Sequence, residues 1–179
     1  LKGQVALVIG AGQSGDPDSK LWGNGAAIAR VLSASGVKVV ACDMILEAAR
    51  RTSFRLQASG GTCDGLQVDV TKSIDLNRLV SAVMEKYGRI DILVNNVGNT
   101  KAGDPVSMSE QVWDAQLELN LKSVYLSCHA VLPIMEKQGS GTVINNASIT
   151  GMRYIGKPQI AYASAKAAVI QFSKVTGVM

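Results

Sequence analysis

Val5-Ala6-Leu7-Val8-Ile9 runs directly into Gly10-Ala11-Gly12-Gln13-Ser14-Gly15. Five consecutive aliphatic residues ending at a glycine read as a short strand buried on both faces, the kind found inside a parallel sheet. The glycines that follow spell GxGxxG, a weak signal alone and a better one directly after a strand. Asp16-Pro17-Asp18 comes next, however, and two carboxylates would repel a pyrophosphate. The helical pattern starts only after Gly23-Asn24-Gly25, so Gly10 pairs with Gly23 and Gly25 rather than with Gly15. In that reading Gly10 turns the chain off the strand. Gly23 and Gly25 let backbone N–H groups and a helix N-terminus approach phosphates, with Gly12 also beside them. Residues 11–22 form an enlarged loop, and the competing interpretation is a plain strand–turn–helix joint.

The same alternation continues outward. A helix is predicted over Ala26–Ser35, a strand over Val37–Cys42 ending at Asp43, and a helix over Leu46–Ser59 stopped by Gly60-Gly61. A short strand follows at Leu66–Val68 before Asp69. Leu76, Leu79, Val80, Val83, Met84 and Tyr87 mark an amphipathic helix closed by Gly88. A fourth strand is read at Ile90–Val94, a long helix from about Ser109 to Lys137 bent near Pro133, a fifth strand at Thr142–Asn146, and a last helix from Ile160 onward. Strand and helix in strict alternation build a doubly wound α/β domain, a parallel sheet covered on both faces. The expectation is a single domain over residues 1–179.

Composition agrees. The chain has 179 residues, 47% hydrophobic and 18% charged, which excludes a disordered segment. Aromatics at 4% argue against a base-stacking surface, and the net charge of +4 is spread along the chain rather than drawn into a nucleic-acid stripe. Arg50, Arg51 and Arg55 cluster at helical spacing and read as a solvated helix face. No apolar run reaches the roughly 18 residues of a membrane span, and none resembles a signal peptide. Three scattered cysteines, Cys42, Cys63 and Cys128, make a disulfide framework or a zinc site improbable and fit a reducing cytoplasm. His129, the single histidine, reads as an ordinary helix residue rather than a metal ligand.

Two further patterns carry chemistry. Asp43 closes the second strand, where a carboxylate accepts both hydroxyls of an adenosine ribose and repels a 2′-phosphate; the plainer alternative is a helix cap. Tyr162-Ala163-Ser164-Ala165-Lys166 places a phenol and an ammonium on one helix face. A phenol titrates near pH 10, and a neighbouring cation favours its ionised form, so such a pair is plausible acid/base machinery. Asn95-Asn96-Val97-Gly98 and Asn145-Asn146-Ala147-Ser148 end the fourth and fifth strands, where open α/β sheets hold their sites.

Taken in order, these motifs resemble the short-chain dehydrogenase/reductase family over essentially the whole chain. Gly10…Gly23-Asn24-Gly25 is similar to its nucleotide-binding glycines, Asp69-Val70 to its adenine-contacting pair, and Asn95-Asn96-Val97-Gly98 to its Asn-Asn-Ala-Gly strand signature. Asn120 falls where the family keeps a helical asparagine, and Ser148 stands fourteen residues before Tyr162. The departures are Ile9 and Val97, where threonine and alanine are usual, and the long glycine loop. Residues 19–23 resemble the enoyl reductase branch, although the Tyr162–Lys166 spacing does not.

The resemblance implies a Rossmann-fold oxidoreductase that uses NAD(H), with NADP(H) possible, on a secondary alcohol or ketone. Tyr162 would exchange the proton, Lys166 would assist it and bind the nicotinamide ribose, Ser148 would hold the reacting oxygen, and Asn120 would order a water behind Lys166. A homodimer or homotetramer is implied, with Leu117, Leu121, Val124 and Cys128 as an apolar seam; neither nucleic acid nor membrane is an expected partner. The rival readings are a cofactor-sensing regulator, expected to lose Tyr162 or Lys166, and a non-redox epimerase or lyase. Substrate walls would come from Gly98–Val106 and Gly151–Gln159, where Arg153 and Lys157 would suit an anion. The family architecture continues with two more strands and a closing segment, so the sequence is expected to be part of a longer or truncated molecule whose fifth strand is left as an edge.

Overall fold

The computed structural model describes residues 1–13 and 21–178. Five strands, β1 (Val5–Ile9), β2 (Lys38–Asp43), β3 (Cys63–Gln67), β4 (Ile92–Asn95) and β5 (Thr142–Asn145), form one parallel sheet in the order β3-β2-β1-β4-β5. The chain leaves β1 toward one side for β2 and returns on the other side for β4. A doubly wound sheet opens a crevice at such a reversal, beyond the carboxyl ends of the central strands.

The helices are α1 (Asn24–Ala34), α2 (Leu46–Ala58), α3 (Ser73–Tyr87), α4 (Glu110–Leu117), α5 (Ser123–Gln138) and α6 (Ile160–Thr176). The period of two in β1 sorts its side chains between two layers. Val5, Leu7 and Ile9 join Val40, Cys42 and Leu93 against apolar residues of α3, α5 and α6. Ala6 and Val8 join Val39, Ala41, Ile92 and Val94 against Ala29 and Leu56 of α1 and α2. Small residues on that second face let α1 and α2 lie close. Among the described residues no helix is long and apolar enough to cross a membrane, and the three cysteines are buried and free.

Several boundaries differ from the sequence expectation. β3 begins at Cys63, three residues before the predicted start, and includes Gly65. A Cβ at Gly65 would lie 2.8 Å from the Ala49 carbonyl carbon, so α2 seats directly on this strand and only glycine fits between them. β4 starts two residues later than read, because Ile90 and Asp91 precede the ladder. The long predicted helix is interrupted not at Pro133, which lies inside α5, but by a π-helical turn over Glu118–Lys122. The proposed apolar seam also divides. Val124 and Cys128 are buried against the sheet, while Leu117 and Leu121 line an open groove of about 520 Å³ with Tyr125.

The amino end of the sheet is pinned by Asp91. One of its carboxylate oxygens accepts the Val5 N–H at 2.8 Å, and Arg89 donates to both oxygens at 2.6–3.1 Å. The hydrogen bond from Arg89 is the main reason that the Asp91 carboxyl titrates below the usual carboxylate range. A depressed carboxyl stabilises the fold above the unfolded-chain value of about 3.9, and that stabilisation is lost as pH falls through the lower folded value. Asp91→Ala is expected to cost about 1–3 kcal/mol at neutral pH, since it leaves the Val5 N–H unpaired in the interior. The difference from the wild type should narrow below about pH 4, and urea unfolding between pH 7 and pH 3 measures both effects.

Candidate active site

Three elements meet at the carboxyl end of β1. Gly10 has a positive φ of 79°, and a Cβ there would lie 2.9 Å from the Val97 nitrogen. Its carbonyl oxygen accepts from Asn96 Nδ2 at 2.9 Å. Gly25, in the first turn of α1, sits so close that a Cβ would overlap that same carbonyl and approach Asn96 Nδ2 to 2.7 Å. Gly12 is equally confined, because a Cβ would overlap the Asp43 carboxylate. Gly23 is different, with nothing nearer than 3.9 Å to a Cβ. The structure therefore gives a steric reason for Gly12 and Gly25, and for Gly23 only its place as N-cap of α1, where no side chain occupies the cap. Among the described residues, no side chain caps the first N–H groups of α1, the kind of groups that bind an anion. Asp16, Asp18 and Lys20 lie outside the described residues, as does most of the enlarged loop.

A cleft of about 340 Å³ opens over these glycines, lined by Gly10, Gly12, Gly23, Asn24, Gly25, Asn96, Gly98, Asn146, Ala147, Tyr162 and Lys166. Nine of these were expected from the sequence. Asn146 and Ala147 complete the lining from the end of β5. The paired asparagines at the ends of β4 and β5 have divided work. Asn146 Nδ2 donates to Asn96 Oδ1 at 2.8 Å on the cleft side. Asn95 and Asn145 pair at 2.9 Å inside the protein, where Ser127 donates to Asn95 and Asn145 donates to Ser173.

Lys166 reaches the cleft from α6 with only 3% of its surface exposed. Its Nζ donates to the Asn146 carbonyl at 2.8 Å and lies 5.7 Å from the centre of the Tyr162 ring. Burial pushes its pKa below the ordinary lysine value. No described residue hydrogen-bonds to the Tyr162 hydroxyl, which leaves it free for a ligand. Asn120 is fully buried in the π-helical turn, where its side chain donates to the carbonyls of Asn99 and Gln116 and accepts from the Asn99 N–H. A Cβ at Gly98 would stand 3.1 Å from Asn120 Oδ1 and 3.4 Å from Lys166 Nζ, so these two groups flank one glycine. Ser148 caps a 3₁₀ turn, Ile149–Gly151, and accepts from the Thr150 N–H and hydroxyl, keeping its own hydrogen to donate. A Cβ at Gly151 would lie 2.6 Å from the Ala167 nitrogen, so this turn is seated directly on α6 beside Lys166.

Other expected residues lie apart from that cleft. Asp43 accepts the Gly12 N–H at 3.1 Å with one oxygen and the Ile45 N–H at 3.0 Å with the other, tying the glycine loop to the entry of α2. Asp69 lines a second cleft, of about 560 Å³, with Met44, Val68 and Lys72. Bonds from Thr71 and the ion pair with Lys72 hold its carboxyl below the usual range. Val70 and Val97 pack in the core beneath. The two loops expected to wall the substrate do join, as the Gly103 N–H donates to the Pro158 carbonyl at 2.8 Å and the Ile160 N–H donates to the Gly103 carbonyl at 3.2 Å. His129 is exposed and stacks on Tyr125.

The arginine cluster corrects the sequence reading. Arg50 is exposed, but Arg51 donates to the Gln13 carbonyl, and Arg55 donates to the Leu21 carbonyl while lying over the Trp22 ring. The departing end of the glycine loop supplies the acceptor for Arg51, and the returning end supplies the acceptor and the ring for Arg55, so both cations are drawn out of solvent. Gln13 itself, whose partners belong to that loop, was not singled out; its place inside the GxGxxG string was the available signal.

The short chain dehydrogenase family model matches residues 4–178. A 3-oxoacyl-(acyl-carrier-protein) reductase of Synechocystis is 38% identical over 176 residues, which are 97% of this chain and 67% of that protein. A Burkholderia xenovorans protein described as a short-chain dehydrogenase/reductase superposes with a TM-score of 0.95 at 45% identity, over 99% of this chain and 69% of that one. A metagenomic short-chain oxidoreductase solved in complex with NADP gives a TM-score of 0.87 at 32% identity, over 98% and 76% of the two chains. The chain thus spans about two thirds of the length of such relatives, and it belongs to the short-chain dehydrogenase family.

Gly25→Ala is expected to destabilise the protein by roughly 1–3 kcal/mol through overpacking against Gly10. Gly23→Ala should cost less than about 1 kcal/mol, the scale of a weakened cap. Urea unfolding of the two variants side by side checks the contrast.

Proposed function

We propose that this member of the short-chain dehydrogenase family is an oxidoreductase acting on a secondary alcohol or its ketone with a nicotinamide dinucleotide. The observation that carries the reading is the placement of Tyr162, its hydroxyl unengaged, and buried Lys166 in one cleft with the uncapped start of α1. The residues present fit a dinucleotide. Gly10, Gly12 and Gly25 let β1, α1 and the Asp43 carboxylate meet with no side chain between them, so the cleft is floored by backbone and bordered by the start of α1, where N–H groups suit an anion. Asn24 and Gly25 would hold the phosphates, Asp43 the adenosine ribose, Asp69 and Val70 the adenine side, and Asn96, Val97, Gly98 and Lys166 the nicotinamide half. When bound, the nicotinamide supplies or accepts the hydride.

The chain's own groups handle the proton. Tyr162 gives its hydroxyl proton to the carbonyl oxygen as the ketone is reduced and takes it back as the alcohol is oxidised. Lys166, short of solvent and without a carboxylate partner, places its charge beside that phenol. Ser148 donates its remaining hydrogen bond to the same oxygen and fixes its position. Asn120 holds the Asn99 backbone and orders a water behind Lys166, through which the proton is replaced.

Asp43 bears on the choice of dinucleotide. A carboxylate anchored on both oxygens cannot swing away from a 2′-phosphate, so NAD(H) is favoured over NADP(H) in this chain. The NADP complex of the metagenomic neighbour supports the opposite preference for that protein. Titration with NADH and NADPH, followed by turnover on an alcohol and ketone panel, tests both levels. NADH is expected to bind at least tenfold more tightly, and tighter NADPH binding overturns the preference. Tyr162→Phe should lower turnover by roughly 10²–10⁴ with dinucleotide affinity retained, and near-normal turnover removes the acid/base assignment.

The open groove along Leu117, Leu121 and Tyr125 supports assembly as a homodimer or homotetramer through α4 and α5. Light scattering at micromolar concentration should show more than one chain per particle, and a strict monomer contradicts it.

A further inference from the structure

The glycine loop joins the end of β1 to the start of α1, and one buried side chain links its two ends. Gln13 is 6% exposed. Its Nε2 donates to the Leu21 carbonyl at 2.9 Å, and its Oε1 accepts the Gly23 N–H at 3.1 Å. Its own backbone is anchored on α2 through the Ala48 carbonyl at 3.1 Å. Arg55, also on α2, donates to the Leu21 carbonyl at 3.2 Å and sits 3.7 Å from the centre of the Trp22 ring. Arg30 of α1 reaches the same ring at 5.4 Å, and Trp22 packs on the core under α1 and α2.

We infer that Gln13, Trp22 and Arg55 form a clasp that holds the start of α1 where it receives the dinucleotide's phosphates, making them positioning residues for cofactor binding; this rests on the reading of the cleft given above. A short glycine turn would fix the distance from β1 to α1 by its backbone alone. Here the connection is long, and closing a longer loop costs entropy that grows with its length. The clasp removes that freedom from the part that matters. It ends at Gly23, the N-cap of α1, and begins one residue after Gly12, whose N–H Asp43 already holds. Both ends of the loop that borders the cleft are thereby fixed before any ligand arrives, and preorganisation of this kind raises affinity by lowering the ordering cost of binding. The clasp also takes the Gly23 N–H out of phosphate binding, leaving the task to the first turn of α1. The Gln13 amide performs both roles at once, which a carboxylate at residue 13 would not, since it accepts but does not donate.

The test uses the whole chain with NADH and NADPH as probes, in three measurements: direct binding by calorimetry, hydrogen exchange at the Gly23 amide without ligand, and the division of kinetic effects between KM and kcat. Gln13→Ala is expected to weaken dinucleotide binding roughly tenfold, the worth of its two hydrogen bonds, and to speed exchange at Gly23. Trp22→Ala and Arg55→Leu should weaken binding roughly threefold to tenfold, with the loss in KM for the dinucleotide rather than in kcat. Trp22→Phe, which keeps a ring under Arg55, should recover most of the affinity. Faster exchange with unchanged affinity, or affinity lost equally in Trp22→Phe and Trp22→Ala, overturns the inference. So does unprotected Gly23 in the wild type. Should the wild type bind neither dinucleotide, the cofactor reading falls. The exchange arm still decides whether the clasp exists, and Arg55→Leu, at a partly exposed position, covers the case in which Gln13→Ala fails to fold.

Discussion

The carbonyl oxygen of Gly10 occupies the space that any side chain at residue 25 would need. That exclusion lets α1 approach the end of β1 as closely as backbone allows, and it gives Asn96 an acceptor in the same place. From this single crossing the remaining geometry follows. The α1 terminus points into the crevice at the strand reversal, β4 delivers Asn96 and Gly98 to its other wall, and β5 adds Asn146 through the side-chain bond to Asn96. A larger residue at position 25 would push the helix away and separate the N–H groups at its start from Tyr162 and Lys166.

The electrostatic character of the cleft comes from what Lys166 lacks. Its ammonium is buried against a backbone carbonyl rather than a carboxylate. Burial of an unpaired cation is unfavourable, and its lowered pKa expresses that cost. The protein tolerates it because Gly98 leaves room beside it and Asn120 fixes the neighbouring backbone. A site that keeps a charge under-solvated has one ready for a developing anion, which is how preorganised polar groups assist proton and hydride chemistry.

Much of this was legible in the sequence for local reasons. Five aliphatic residues before a glycine can be little other than a doubly covered strand, and the observed Val5–Ile9 matches residue for residue. The Tyr162–Lys166 spacing meets on a helix whatever surrounds it. What escaped was set by distant partners. The π-helical turn at Asn120 answers to the loop at Asn99, 21 residues away in the chain and without a local signature. Cys63–Gln67 has weak strand character and becomes a strand because β2 and α2 hold it there. Arg51 and Arg55 looked solvated because Leu21 and Trp22, to which Arg55 docks, are separated from α2 by more than twenty residues of sequence. The split of the apolar seam likewise depends on which side of α5 meets the sheet, which spacing alone leaves open.

The amide pair inside the sheet has a consequence for folding fidelity. Of the four residues of β5, Thr-Val-Ile-Asn, only Val143 packs on the apolar core, so hydrophobic burial says little about how the strand should align with β4. A slip of one residue turns every side chain of a strand to the opposite face. Sliding β5 by one would place Ile144 or Asn146 where Asn145 now stands between Asn95 and Ser173. Ile144 would leave the Asn95 amide buried without its partner, and Asn146 in that place would be drawn away from Asn96 at the cleft. An unmet buried amide costs on the order of 1–3 kcal/mol, enough to make the misaligned sheet a minor species at equilibrium. The rung of polar side chains thus proofreads the pairing of β5 with β4, and the cleft above inherits its alignment from that check.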